Sequence, residues 1–261
     1  YHGGLLIRRA GQLHPGKLAA GLADAARKSG VRVVPDTAAL HIKRLRDQFQ
    51  VKTVRGPINS DIVVLATNAY TGHLNPFLKR RIIPVTSHVI ATAPIPATIG
   101  QKIIPMRRSV SESRRVLNYF RFTPDFQRLI FGGRTRFYPL SPERIANLLR
   151  RAMIARFPDL GQVDVTHIWS GQVALTFDAI PHIGGDNGLY YCIGCNGSGI
   201  VLMTHLGRLL ARKIVTGERG AISAFDRIAI PGHALYFGEP WFMPFVGSYL
   251  QLRDFAERRF A

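Results

Sequence analysis

The sequence predicts an α/β chain, α+β overall, on three observations. A helical pattern feeds a short apolar run near residues 15–34. Short strand candidates broken by prolines fill residues 81–137. A strand, a glycine-rich turn and a long helix follow one another over 189–215. The first and last are units of a layered α/β sheet, and the middle one suggests an antiparallel sheet. A chain of 261 residues with 46% hydrophobic residues can bury a sizeable core and is not disordered.

The first helix is expected over 15–29. Pro15 suits its first turn, Leu18, Leu22, Ala25 and Ala26 share one face, and Gly30 follows as a cap. Val31-Arg32-Val33-Val34 reads as a strand. Leu40, Ile42 and Leu45 alternate with basic residues, and Phe49, Val51 and Val54 continue in strand spacing. Gly56-Pro57 reads as a turn, and Ile62-Val63-Val64-Leu65 as a strand buried on both faces. Ala66-Thr67-Asn68-Ala69 ends that strand in small residues that let a ligand approach the backbone.

Between 81 and 137, Ile82-Ile83, Val85, Val89-Ile90, Val116-Leu117, Tyr119-Phe120 and Leu129-Ile130-Phe131 are strand candidates, and Pro84, Pro94, Pro96 and Pro105 oppose helix. Ser141 caps a helix with Pro142 and Glu143 in its first turn and Ile145, Leu148, Leu149 and Ala152 on its apolar face; Phe157-Pro158 ends it. Val163, Val165 and Ile168 alternate up to Trp169, and Leu189–Ile193 reads as a buried strand. The helix over 200–215 turns Leu202, Leu206, Leu209, Leu210 and Ile214 inward, with Arg212 and Lys213 at its negative end and Gly217 after it. Residues 221–261 show no clear periodicity. Pro240–Phe245 offers two readings, contact with a membrane surface or partner and an aromatic lid packed on the body; proline interrupts any amphipathic helix there and favours the lid.

Lys and Arg total 35 against 16 acids, a net charge of +19. The arginines are scattered, often in pairs, with no basic tail and no nucleic-acid-binding motif, so no nucleic acid is expected as partner. No stretch of eighteen apolar residues occurs, so no integral membrane segment is expected. Two cysteines exclude a disulfide framework. Cys192 and Cys195 lack the second pair that four thiolate ligands require; no metal is expected, and they read as a buried strand cysteine and a small turn cysteine. A cytoplasmic protein is expected.

Gly194-Cys195-Asn196-Gly197-Ser198-Gly199 opens a helix, where unpaired N–H groups and a partial positive charge hold anions. Its spacing is G-x-x-G-x-G. The dinucleotide fingerprint G-x-G-x-x-G occurs nowhere among the 25 glycines. Taken alone, the turn is equally compatible with a tight strand-to-helix connection.

The run Trp169-Ser170-Gly171 through Asp178, Pro181, Ile183 and Gly184, followed by that turn, resembles the FAD-dependent oxidoreductases of the D-amino-acid oxidase/glycine oxidase superfamily, within it the gamma-glutamylputrescine-oxidase-like subgroup. Ala10–Ala23, Val63–Thr71 and Phe131-Gly132-Gly133-Arg134 match the same family in the same order. The resemblance implies an incomplete Rossmann-like FAD domain (1–80 with 160–220), an antiparallel-sheet substrate domain (81–159), and a C-terminal extension (221–261) packed on the body. The missing dinucleotide-binding strand and turn are expected upstream of Tyr1.

In the family, the stretch equivalent to Gly194, Asn196, Gly197, Ser198, Gly199 and Ile200 places backbone N–H groups at the flavin's pyrimidine edge, where reduced flavin carries negative charge. The resemblance sets Gly171 close to the ring system, Ala66, Thr67 and Asn68 beside the adenosine or pyrophosphate, and the Ala39 backbone at the adenine. Some relatives attach flavin covalently through a Cys near the position of Gly171; glycine there implies non-covalent FAD. Amino-acid-oxidising relatives carry a carboxylate-binding Arg where this sequence has Val173, which favours an amine substrate without an α-carboxylate. Tyr119 and Arg134 are the candidate substrate-binding residues, Arg134 for a distal carboxylate such as a gamma-glutamyl group. No catalytic acid or base is assigned, because hydride transfer to flavin needs positioning above all. The expected activity is oxidation of an amine C–N bond to an imine; the alternative is a non-catalytic remnant or binding module of that family.

Overall fold

The computed structural model describes residues 3–133, 138, 140–218, 220 and 222–260. Helix α1 (Pro15–Lys28) begins where proline and a His14 side chain accepting from the Lys17 N–H favour it. None of its residues is buried. Residues 31–34, expected as a strand, are not one: Val31, Val33 and Val34 are exposed, and an apolar run extends into a strand only beside a paired neighbour.

Strands β1 (Ala39–Arg44), β2 (Phe49–Thr53) and β3 (Gly56–Ser60) form an antiparallel sheet in that order. Gly56-Pro57 opens β3 rather than turning the chain. The turn falls at Val54-Arg55, where the Thr53 hydroxyl donates to the Gly56 carbonyl at 2.7 Å and accepts from the Arg55 N–H at 3.1 Å. Strand β4 (Val63–Leu65) lies parallel to β11 (Leu189–Ile193), which pairs antiparallel with β10 (His182–Asp186). The sheet order β10-β11-β4 leaves β4 at an edge, so of the run expected to be buried on both faces only Leu65 is buried, while Ile62 and Val64 are exposed.

The largest sheet has five strands in the order β6-β7-β8-β5-β9, all antiparallel: β5 (Ile83–Thr92), β6 (Val110–Ser111), β7 (Asn118–Phe122), β8 (Leu129–Gly133) and β9 (Val165–Leu175). Ile83 to Thr92 is one ten-residue strand rather than several short ones. Pro84 fits because β5 meets β8 only from His88 onward, so its missing N–H falls where β9 is the one neighbour. Val116-Leu117 stays outside the strands. Strand β9 lies within the residues expected for the cofactor region, yet it pairs along the length of β5, so the antiparallel sheet reaches Leu175.

Short helices α2 (Pro76–Lys79) and α3 (Ala97–Ile103) precede this sheet's centre and follow β5. Pro96 caps α3: proline stops a helix arriving from before it, not one starting after it. Helix α4 (Pro142–Ile154), capped by Ser141 as expected, covers one face of the sheet. Leu149 and Met153 there join Ile90, Phe120, Leu129 and Phe131 in the main core, with Phe120 and Phe131 stacked at 5.7 Å. Helix α5 (Gly199–Thr216) buries Leu206 and Leu210 against Ile183 and Cys192, and ends at Gly217 in the left-handed region, φ +66°. Lys213 is buried and bonds Asp226 of α6 (Ala224–Arg227) at 2.7 Å.

A final helix, α7 (Met243–Phe260), occupies the segment in which periodicity is unreadable. Pro244 stands in its first turn, where proline costs no hydrogen bond, so proline does not prevent this helix. Phe242 and Met243 pack with Tyr236, Ile83 and Val85, the body contact expected of the aromatic segment, but Trp241 and Phe245 face out.

Leu149 is fully buried between α4 and the sheet, so Leu149→Ala should cost about 2–5 kcal/mol of unfolding free energy. Urea titration measures this, and a loss under about 1 kcal/mol would contradict the core assigned.

Candidate functional site

The site is built where the glycine turn meets β9. Gly194 takes φ +79°, and a Cβ there would stand 2.7 Å from Thr176 Cγ2, so the chain must be glycine to pass. Asn196 takes φ +46°, a left-handed conformation that asparagine tolerates. Its N–H donates to the Ala174 carbonyl of β9 at 2.9 Å. Its side-chain oxygen accepts from the Thr176 N–H at 3.1 Å, and its amide nitrogen donates to the Gly194 carbonyl at 2.8 Å and Thr176 Oγ1 at 3.2 Å. Asn68, also at φ +46°, accepts from the N–H groups of Gly194 and Cys195 at 3.1 and 3.4 Å. Two asparagines thus pin the turn, one from within it and one from the segment after β4.

Beyond these pins the backbone opens. Gly197 has φ +89° and nothing within 4 Å of the position a Cβ would take. Gly197, Ser198 and Ile200 are exposed, and Gly199 is half-buried. Ser198 makes no side-chain cap and the first turn of α5 contains no acid, so among the described residues this 18-residue helix neither caps nor neutralises its own positive end.

On β9, Gly171 is exposed, and a Cβ there would meet only the Tyr70 hydroxyl, at 3.9 Å. That hydroxyl accepts from the Gln172 N–H at 2.9 Å. Tyr70 was not singled out by the sequence; it follows Asn68 by two residues in a 3-10 turn that packs on β9. Thr67 bonds the Thr71 hydroxyl at 2.8 Å, and Ala66 is exposed beside it. Ala39 opens β1, opposite Thr53.

The register sets the face of the five-stranded sheet that carries Gly171. Ser87 is opposite Gly171, and Val89 is opposite both Trp169 and Gly132. Gly132 is opposite Tyr119, whose hydroxyl reaches Ser87 Oγ at 3.0 Å. Val173, opposite Val85, lies on this face one pair further along from Gly171. Arg121 follows Tyr119 on it and donates to the Leu13 carbonyl at 3.1 Å, drawing the N-terminal segment against the same face. Tyr119 and Gly171 are therefore brought together; Arg134 lies outside the described residues.

Behind the turn, His182 is fully buried. Its Nε2 lies 3.1 Å from Asp178 Oδ2, and its Nδ1 lies 3.2 Å from the Ile228 carbonyl. Both ring nitrogens face oxygen atoms. Burial pushes the Asp178 carboxyl up, but hydrogen bonds from the Ile180 N–H and from His182 outweigh it and hold it below the ordinary carboxylate value. Burial pushes the Cys192 thiol up to about 11, so it is an unreactive thiol near neutrality.

Residues 1–213 match the family model for the FAD dependent oxidoreductases, DAO. The chain belongs to this family of FAD dependent oxidoreductases. It is 33% identical over 261 residues to the gamma-glutamylputrescine oxidoreductase of Escherichia coli (strain K12), covering 97% of this chain and 60% of that protein. It is 32% identical over 232 residues to the probable oxidoreductase OrdL of Rhizobium meliloti (strain 1021), covering 88% of this chain and 53% of that protein. This chain thus spans little more than half the length of these relatives. The crystal structure of L-proline dehydrogenase from P. horikoshii shares the fold, with a TM-score of 0.66, 23% identity, and coverage of 81% of this chain and 58% of that one.

FAD is the cofactor of the family, and the residues present fit a flavin: a helix N-terminus of the polarity reduced flavin requires, open space where a Cβ of Gly197 would stand, and an exposed Gly171 on β9, the strand to which Asn196 bonds at Ala174.

Two outcomes follow. Asn196→Ala removes the Thr176 and Gly194 bonds of the pin and should cost about 1–3 kcal/mol by thermal or urea unfolding; an unchanged midpoint would contradict the pin. Asp178 has its folded pKa held below the unfolded value of about 3.9, so its stabilisation is present above that pH and lost as pH falls through the folded value. Asp178→Asn should therefore be less stable than the parent near neutrality, with a shallower decline below about pH 4; parallel stability–pH curves would contradict this.

Proposed function

We propose that this chain carries the flavin-edge and substrate-sheet parts of an FAD-dependent amine oxidase or dehydrogenase. Its substrate would be an amine lacking an α-carboxylate, of the gamma-glutamylputrescine kind, oxidised at C–N to an imine. The observation that carries this reading is the α5 N-terminus, pinned by Asn196 to β9 at Ala174, with Val173 next along that strand and sharing the face of Gly171. Where amino-acid-oxidising relatives hold a carboxylate with arginine, this face offers an isopropyl group.

The proposed division follows the family: a cofactor part contributed by residues near 1–80 and 160–220, a substrate part over 81–159 continued by β9, and a C-terminal extension. The G-x-G-x-x-G segment that cradles the pyrophosphate would come from sequence outside these 261 residues.

Bound FAD supplies the two-electron acceptor. The chain's own residues do the rest. Gly197, Gly199 and Ile200 would present N–H groups to the flavin's negative edge, the Ser198 N–H being held by the Cys195 carbonyl at 2.8 Å, and Gly171 would keep the ring contact free of a side chain. With glycine at 171 no sulfur is offered there, and the cofactor would be held non-covalently. Trp169 and Tyr119, on one face with Gly171, bracket the space for the substrate amine; the Ser87 hydroxyl fixes the Tyr119 phenol and with it the width of that space. The 1 Å-scale precision that hydride transfer requires is supplied by a strand and a helix rather than by mobile loops.

The test is spectroscopic. The protein expressed with its upstream sequence should carry FAD, and a gamma-glutamyl amine should bleach its visible absorption at least about tenfold faster than glycine or a D-amino acid, a difference near 1.4 kcal/mol. Absence of flavin, as a non-catalytic member predicts, or bleaching by α-amino acids alone would overturn the reading.

A further inference from the structure

We propose that Met243 is a specificity-determining residue: it forms the apolar wall that closes the Val173 end of the substrate space. The inference rests on the proposed amine oxidation and names the group that limits what the amine-bearing carbon can carry.

Met243 opens α7 and is buried with Ile83, Val85 and Tyr236, and Leu175 and Phe242 pack against them. Ile83, Val85, Ser87 and Val89 alternate onto one face of β5, the face that carries Gly171 and Tyr119. The C-terminal segment therefore covers the substrate-facing side of the sheet, opposite to α4. Its cover stops within one residue pair. Val85 is 4% exposed, whereas Ser87, the next residue on that face, is half-buried, and Gly171 opposite it is exposed. The edge of the apolar cover thus stands about 7 Å along the strand from the Ser87–Gly171 pair.

Three ties hold the segment there. The Tyr236 hydroxyl donates to the Ile82 carbonyl at 2.6 Å. Lys79 pairs with Glu239 at 2.8 Å. Towards the other end of α7, the buried Asp254 accepts from the Val116 N–H at 3.1 Å and pairs with Arg115 at 3.3 Å. Val116 stands two residues before Asn118, which Gly133 joins to His88 across the sheet. Helix α7 therefore crosses the strands at the level of Val85 to Ser87, from Met243 beside β5 to Asp254 at the entry to β7.

The chemistry follows from these neighbours. In the proposed reading, a group on the amine-bearing carbon points toward Val173, where amino-acid-oxidising relatives hold a carboxylate. Val173 stands opposite Val85, and Val85 packs with Met243. Within that cluster the one hydroxyl, on Tyr236, is already bonded to Ile82. A carboxylate entering there would lose water and gain no donor. Hydrogen suits such a wall, and a longer alkyl branch meets the Met243 side chain.

The test uses the protein expressed with its upstream sequence, its methionines labelled with carbon-13 at the ε-methyl. The Met243 signal is identified by its loss in Met243→Leu. Gamma-glutamylputrescine, added anaerobically, should shift that signal saturably and leave in place that of Met153, buried on α4 across the sheet. Met243→Ala should favour the same amine bearing an ethyl branch on its amine-bearing carbon. Its kcat/KM relative to the unbranched amine should rise about tenfold. Leu149→Ala, which opens a cavity on the α4 side, should leave that ratio unchanged. Bleaching of the flavin with an unmoved Met243 signal would overturn the wall and leave amine oxidation standing. So would an equal ratio in Met243→Ala and Leu149→Ala. A shifted Met243 signal without bleaching would support the wall and overturn the oxidation; neither shift nor bleaching would overturn both.

Discussion

The structure depends on a hydrogen-bonded clamp around one glycine turn. Gly194 to Ser198 must leave β11, pass close to Thr176, and release α5 with its first N–H groups unobstructed. Neither a strand nor a helix holds such a path by itself. Asn196 supplies the hold from inside and Asn68 from the segment after β4, so the turn is tied to β9 and to the 3-10 turn beside it at once. Thr176 extends the hold through its hydroxyl, which donates to the Ile180 carbonyl at 2.8 Å, and Asp178 and His182 carry it on to the Ile228 carbonyl. A fixed, uncapped helix end is what electrostatic preorganisation requires: the dipole is already aimed and need not reorient when charge develops.

The antiparallel sheet answers a different need. Its covered face is filled by α4 and a cluster of phenylalanines, so the sheet is stiff. Its other face bears Ser87, Val89, Tyr119, Trp169, Gly171 and Val173 in register. Because side chains alternate strictly along strands, the same register that packs the core decides which residues look toward a ligand. Val173, opposite Val85, is set on that same face by the register.

Much of this was legible in the sequence, for identifiable reasons. Ser141 and Pro142 announce α4, and Gly217 closes α5 as a left-handed cap, because caps are local devices. The glycine turn was legible as a place, but not its clamp: the partners of Asn196 and Asn68 lie far along the chain, and an isolated Asn carries no signal of which backbone it will bond. Val31–Val34 misled because strand propensity is expressed only beside a pairing partner. Gly56-Pro57 misled because Thr53 moved the turn two residues earlier. Helix α7 was hidden because Asp254 sits on its buried side and aromatic residues on its exposed side, the inverse of the pattern that periodicity detects. Tyr70 gave no signal because its role arises from contact with the Gln172 backbone.

We propose that the N–H groups opening α5 face flavin. The most direct measurement is an amide chemical-shift map of the nitrogen-15-labelled protein as FAD is added. The account predicts shifts concentrated at Gly197, Ser198, Gly199 and Ile200, with a second group at Gly171 and Gln172. Saturable shifts confined to other parts of the chain, with these amides unmoved, would contradict it.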